Sequence, residues 1–300
     1  MNLPLRGTFT VMITPFDGKG GLDLPATAKF VDWQINEGIH GLVPLGSTGE
    51  FLSLNDDERA AVVETVIKTA AKRVPVVIGT GAESTDDVIR YSRQAEAMGA
   101  AGVMIIPPFY STPSEDELFE HYRRIGEAIS LPIMVYNNPN TANVDLTPPI
   151  VARLSEIENV RYIKESTMDV TRIRDIMEFC RGRMTVFGGI MGFESFLAGA
   201  EGWVAVASNI SPKDSANLFS LWADKRDFDA ARALYAKILP VIRMVGGTRF
   251  VSASKAALKL MGRDVGNPRP PRLPLPAEEM PALIAALKAA GITSTPAAAL

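Results

Sequence analysis

The chain has 300 residues, 47% of them hydrophobic and 22% charged, with a net charge of −3, so it can bury a sizeable core and has no basic surplus for nucleic acid. A single cysteine, Cys180, excludes an internal disulfide framework and reads as a buried, inert thiol, while two histidines, His40 and His121, are too few for an imidazole-built metal site. No apolar run approaches the roughly 20 residues that span a bilayer, and the N-terminus shows no basic region followed by an apolar one; a cytoplasmic protein with a small-molecule partner, no nucleic acid and no membrane is expected.

Length alone suits either about two domains or one α/β barrel with an appendage. Gly7–Thr14 is rich in β-branched and apolar residues and stops at Pro15, as a first buried strand does. Leu24–Glu37 follows with helical spacing and ends at Gly38, a C-cap residue. The unit then recurs: Gly41–Leu45 precedes a predicted helix over Asp56–Lys72, Pro75–Ile78 one over Ser84–Met98, and Gly102–Ile106 one over Ser114–Ile129. Leu131–Val135 leads to Thr147–Glu156, Val160–Ile163 to Val170–Cys180, Met184–Phe187 to Phe193–Ala200, and Gly202–Val206 to Pro212–Ala223. Short, almost uninterrupted apolar strands alternating with amphipathic helices imply a parallel sheet covered by helices, and about eight such units make a (β/α)8 TIM barrel. The competing open doubly wound sheet lacks a G-x-G-x-x-G turn after its first strand.

Beyond Ala223 the spacing predicts helices without strands, over Asp227–Val245, Arg249–Met261 and Ala277–Ala290, with a proline-rich connector, Asn267–Pro276, between the last two. This divides the chain into a barrel domain, 1–223, carrying the active site, and a C-terminal helical extension, 224–300, whose final residues from Thr293 are expected to fray.

In a barrel of this kind the residues that end each strand meet around one mouth, where the chemistry sits. Gly46-Ser-Thr-Gly-Glu50 follows the second strand, with glycines for a tight turn and with backbone N–H groups and hydroxyls suited to a carboxylate. Pro107–Tyr110 follows the fourth, Tyr136-Asn-Asn-Pro139 the fifth, Lys164 the sixth, and Gly188-Gly189 the seventh. Desolvation favours the neutral, nucleophilic form of an amine, so a strand-end lysine here suits Schiff-base chemistry on a ketone. Taken by itself, Lys164 also fits a lysine snorkelling to solvent, the glycine-serine-threonine turn fits an ordinary loop, and each tyrosine fits packing. One lysine, two tyrosines and a hydroxyl pair gathered at one end suit imine chemistry better than packing.

Gly46-Ser-Thr-Gly-Glu50, Tyr136-Asn-Asn-Pro139 and Lys164-Glu-Ser-Thr167, in this order, closely resemble the dihydrodipicolinate synthase and N-acetylneuraminate lyase family of class I, pyruvate-handling aldolases. The likeness covers essentially the whole chain. It implies that Lys164 forms the imine with pyruvate or another 2-keto acid, that Tyr136 relays protons, and that Ser47 and Thr48 help the relay and hold the substrate carboxylate. It matches Tyr110 to an aromatic residue that a neighbouring subunit pushes into the site, and Gly189 and Val204 to the lining of the pyruvate pocket. It implies no cofactor or metal beyond the covalent imine, and a homotetramer built as a dimer of dimers.

Two departures bear on substrate. Where the synthases usually carry an arginine for the carboxylate of aspartate semialdehyde, the loop reads Asn138-Pro-Asn-Thr-Ala-Asn143, and threonine or asparagine cannot copy a bidentate guanidinium. Asn138 and Thr141 suit hydroxyls instead. Asp56 and Arg59 stand where lysine-inhibited relatives keep two histidines, so feedback inhibition by lysine is not expected. The leading expectation is therefore a Schiff-base lyase cleaving or dehydrating a 2-keto-3-deoxy sugar acid. The alternatives are the synthase proper, for which Arg249 is a candidate replacement cation, and a non-catalytic 2-keto-acid-binding barrel.

Overall fold

The structure is a computed structural model, and residues 4–292 are described. The fraying expected from Thr293 onward lies outside them. Eight strands occur among the described residues: β1 Gly7–Val11, β2 Gly41–Val43, β3 Val77–Gly79, β4 Gly102–Ile105, β5 Ile133–Asn137, β6 Val160–Glu165, β7 Thr185–Gly188 and β8 Gly202–Ala205. They alternate with α1 Leu24–Asn36, α2 Asp56–Ala70, α3 Thr85–Ala97, α4 Glu115–Ala128, α5 Pro148–Leu154, α6 Thr171–Cys180, α7 Gly192–Leu197 and α8 Pro212–Phe219. The sheet runs β2-β1-β8-β7-β6-β5-β4-β3, the order of a (β/α)8 TIM barrel, and α9 Phe228–Val245, α10 Phe250–Leu260 and α11 Met280–Ala289 follow it.

Local chemistry sets the helix starts. Asn55 and Glu58 exchange side-chain and backbone hydrogen bonds across the first turn of α2, and Ser114 and Glu117 do the same for α4. The strands are buried almost throughout, as parallel strands must be when helices cover them.

Two compact units make up the fold. The first is built on Pro75–Val204, with Val103, Ile105, Ile133, Val135 and Ile163 of its strands buried beside Val88, Tyr122, Ile125 and Ile176 of its helices. Cys180 is buried here at the end of α6, and burial pushes its thiol up. The second holds Gly7–Val74 and the chain from Ala205, with Phe9, Val31, Leu42, Val62 and Val66 in its core. The apolar faces of the tail are buried within it: α9 packs against α8, α10 and α11, burying Ile238, Val241, Leu258, Leu283 and Leu287.

The strand ends differ from the apolar pattern, in both directions. Sequence spacing ends the fifth strand at Val135, whereas β5 continues through Tyr136 and Asn137 because their side chains find polar partners and the ladder goes on. The second strand, expected to reach Leu45, stops at Val43; Leu45 turns into the left-handed region at φ 59°, which no ladder residue can adopt. The predicted helix ending at Ala223 is α-helical only to Phe219 and widens into a π-turn over Ser220–Asp224.

Candidate active site

In the first unit, β5 and β6 pair in parallel with Tyr136 opposite Lys164 and Asn137 opposite Glu165. A register shift between Ile133 and Met134 brings these four polar residues into line. Lys164 is 5% exposed, and its Nζ stands 4.1 Å from the centre of the Tyr136 ring. An ammonium over an aromatic face is an attractive arrangement, and the neutral amine in the same place is a shielded nucleophile. The buried Tyr136 hydroxyl accepts a hydrogen bond from Asn138 Nδ2 at 2.9 Å. That leaves the phenolic proton free to point elsewhere, as a proton carrier requires. Asn138, expected to contact substrate, is thus engaged with the tyrosine, and Thr141 Oγ1 donates to the Asn138 carbonyl at 3.3 Å.

Four residues with no assigned role in the sequence brace this row, Asn137 and Glu165 within the motifs and Asp145 and Arg172 outside them. Asn137 is fully buried and donates to Glu165 Oε2 at 2.9 Å and to Asp145 Oδ1 at 3.2 Å, while its own oxygen accepts the Leu146 N–H at 3.0 Å. Glu165 also accepts the Thr167 N–H at 2.7 Å. Asp145 is held by both arms of Arg172, at 2.6 and 2.7 Å, and the guanidinium keeps its carboxyl below the usual range. A buried asparagine beside a candidate catalytic tyrosine was the available sequence signal; its partners were not.

Gly189 donates its N–H to the Glu165 carbonyl at 2.8 Å. Its missing side chain is required: a Cβ there would sit 1.8 Å from Ser166 Oγ and 3.0 Å from the Glu165 carbonyl. Val204 is fully buried in β8. Tyr110 stands apart from the Lys164–Tyr136 row, with its side chain in solvent and the residue 86% exposed. Its loop is nevertheless fixed. Glu83 accepts the N–H groups of Phe109, Tyr110 and Ser111 at 2.9, 3.0 and 2.9 Å, and Asn143 Nδ2 donates to the carbonyls of Phe109 and Tyr110 at 3.3 and 3.1 Å. Burial opposes the Glu83 charge, but these donors and the Ser111 hydroxyl hold its carboxyl below the usual range.

In the second unit, Ser47 and Thr48 lie in a 3-10 turn, Ser47–Gly49, with three residues between it and the end of β2. Leu45 and Glu50, both with positive φ, bracket it. Ser47 is partly exposed and Thr48 buried. Gly49 lets the turn press against the backbone just after β1, since a Cβ would meet the Met12 carbonyl at 3.0 Å. Arg249, the candidate replacement cation, is paired with Glu279 Oε1 at 2.8 Å. Among the described residues no cluster of three or more His, Cys, Asp or Glu side chains is arranged to hold a metal ion, and no helix is long and apolar enough to cross a membrane.

Comparison with known proteins assigns the chain to a family. The sequence model of the dihydrodipicolinate synthetase family matches residues 4–290. The 4-hydroxy-tetrahydrodipicolinate synthase of Thermodesulfovibrio yellowstonii is 35% identical over 260 residues, 86% of this chain and 89% of the relative, and that of Pelobacter propionicus is 34% identical over 96% and 99%. The chloride-inhibited dihydrodipicolinate synthase of Acinetobacter baumannii, solved in complex with pyruvate, superposes with a TM-score of 0.93 at 34% identity, covering 96% of this chain and all of that one. The chain belongs to the dihydrodipicolinate synthetase family, metal-independent class I lyases that form a lysine Schiff base with pyruvate and need no cofactor.

Proposed function

We propose that this enzyme is a 4-hydroxy-tetrahydrodipicolinate synthase, joining pyruvate to aspartate semialdehyde through an imine on Lys164. The observation that carries the reading is the row in which buried Lys164 faces Tyr136 across β5 and β6, set in a chain whose curated relatives bear that name. The Lys164 amine adds to C2 of pyruvate. Tyr136, with Ser47 and Thr48, carries the protons that let water leave; the iminium then takes up the electron pair as a C3 proton is lost, and the enamine adds to the aldehyde carbon. Thr48, Gly189 and Val204 are assigned to the keto acid, and Asn138 and Thr141 to the loop that closes over the second substrate. The homotetramer follows from the resemblance; a neighbouring subunit would cover the exposed Tyr110 side chain.

One observation favours a second reading, a lyase or dehydratase of a 2-keto-3-deoxy sugar acid. The loop Asn138–Asn143 holds no cation, and a second substrate carboxylate without one loses a charge-assisted pair of about 1.5–3 kcal/mol. Two measurements test these readings. Borohydride with pyruvate is expected to inactivate the enzyme and leave a three-carbon adduct at Lys164; an adduct elsewhere, or none, removes both readings. The kcat/KM for semialdehyde condensation is expected to exceed that for any of a panel of 2-keto-3-deoxy sugar acids. The reverse order makes the second reading the answer.

A further inference from the structure

Within the second unit, the turn that carries Ser47 and Thr48 is tied to the helical tail by buried charge. Glu50 ends the turn: its N–H donates to the Ser47 carbonyl at 3.2 Å, and its backbone is left-handed at φ 54°. Left-handed backbone suits glycine better than glutamate, so the side chain is the reason for glutamate here. Its carboxylate is fully buried. Oε1 lies 3.0 Å from Lys255 Nζ, an ion pair between side chains 0% and 2% exposed, and Oε2 accepts the backbone N–H of Arg269 at 2.9 Å. Lys255, from α10, also donates to the Asn267 carbonyl at 3.2 Å, and its Nζ stands 4.1 Å from the centre of the Phe16 ring. The Arg269 guanidinium lies 4.4 Å from the same ring and holds the carbonyls of Gly20 and Ser53 together with Glu58. None of the chemical steps above uses these groups.

A buried ion pair is a poor source of net stability, because apolar side chains of similar volume often do as well or better. What it does supply is a fixed position. The turn itself is only three residues long and has no side-chain cap, and beyond its own backbone bonds it is held by the Thr14 hydroxyl on the Gly49 carbonyl at 2.7 Å. Orientation of hydroxyls in a relay tolerates about half an ångström. We propose that Glu50, Lys255 and Arg269 are positioning residues that set the Ser47–Thr48 turn, which makes the helical tail a working part of the active site. The inference rests on the assignment of Ser47 and Thr48 to the proton relay.

Burial pulls Lys255 down to about 8, with the Glu50 charge opposing that fall and Arg269 adding to it. Replacing Glu50 by Gln therefore leaves an ammonium that can shed its proton, and the variant should fold. The test uses pyruvate alone, following deuterium uptake at its C3 in D2O by proton NMR, which needs the imine and the relay but no second substrate. E50Q and K255M are expected to lose about 10- to 100-fold in exchange rate while still giving the Lys164 adduct with saturating pyruvate and borohydride. The double variant E50Q/K255M, which strands no charge, is expected to regain most of the parent Tm and not the exchange rate. Recovery of exchange to within about threefold of the parent in the double variant would mean that the cluster only stabilises, and would overturn the proposal. E50D, which keeps the charge and withdraws it by one methylene, covers the case in which the others do not fold; full exchange in folded E50D overturns the proposal as well. Failure of the underlying assignment is distinguishable, because it would show as parent-like exchange in S47A and T48V.

Discussion

The polar rung next to Lys164, where Asn137 pairs with Glu165, offers the strongest test of how the site is held. Asn137 donates both its amide hydrogens to carboxylates, Glu165 at 2.9 Å and Asp145 at 3.2 Å, and accepts the Leu146 N–H. Asn137→Asp keeps the shape and the acceptor, removes both donors, and sets a third carboxylate between the other two. Two hydrogen bonds to charged groups at about 1.5–3 kcal/mol each make the expected loss about 3–6 kcal/mol, a large part of the roughly 5–15 kcal/mol that holds a domain folded. Asn137→Ala loses the same donors and also strands the Leu146 N–H, but adds no charge. At neutral pH the aspartate variant should therefore be the less stable of the two. The crowded carboxylates in that variant take up a proton more readily in the folded state than in the unfolded chain. Folding then binds protons, and the stability of the variant rises as pH falls toward about 5. Urea unfolding at the two pH values measures this. A loss below about 1 kcal/mol, or an aspartate variant more stable than the alanine one at neutral pH, would refute the account of the rung.

Burial holds His121 down to about 4, with Arg124 adding to the effect and Glu83 opposing it. The unfolded chain takes up this proton near 6.5 and the folded one only near 4, so the parent should lose up to about 3 kcal/mol between those values as pH falls, and His121→Gln should flatten that part of a Tm-against-pH curve. Gly189→Ala should leave little folded, active protein, because its Cβ falls 1.8 Å from Ser166 Oγ; adding Ser166→Gly, which leaves only the 3.0 Å approach to the Glu165 carbonyl, should restore part of it, as circular dichroism and the Lys164 adduct would report. Tyr136→Phe should lower kcat by about 10²- to 10⁴-fold with the Tm little changed, and parent-like turnover would remove tyrosine from the relay.

The order of strands and helices was legible because short apolar runs alternating with 3.6-period segments have few other solutions. The strand ends were not. Apolar pattern reports burial, whereas a ladder continues as long as each buried polar side chain has a partner, so β5 runs on through Tyr136 and Asn137 while β2 stops short of an apolar Leu45. Lys164 was visible as a charge in an apolar run. The Asn137 rung was not, since its pairing with Glu165 depends on a register shift at Ile133 and Met134 that no periodicity encodes. Glu50 and Arg269, hydrogen-bonded at a separation of 219 residues, are likewise joined only by the fold.

The substrate loop shows why composition misleads about specificity. Counted as letters, Asn138, Thr141 and Asn143 are amides and a hydroxyl free to meet the hydroxyls of a sugar acid, and that count favoured the lyase. In the structure Asn138 donates to the Tyr136 hydroxyl, Thr141 donates to the Asn138 carbonyl, and Asn143 donates to the carbonyls of Phe109 and Tyr110. Each group already makes a protein hydrogen bond, and a hydrogen already donated gains little from a substrate hydroxyl that must displace that partner. These residues are better understood as shaping the site: Asn138 orients the phenol, and Asn143 works with Glu83 to fix the Tyr110 loop. The amide content then ceases to argue for a polyhydroxylated substrate. What remains is the absence of a cation from the loop Asn138–Asn143, and under the proposed function that bears on how tightly the aldehyde is held rather than on whether the imine forms.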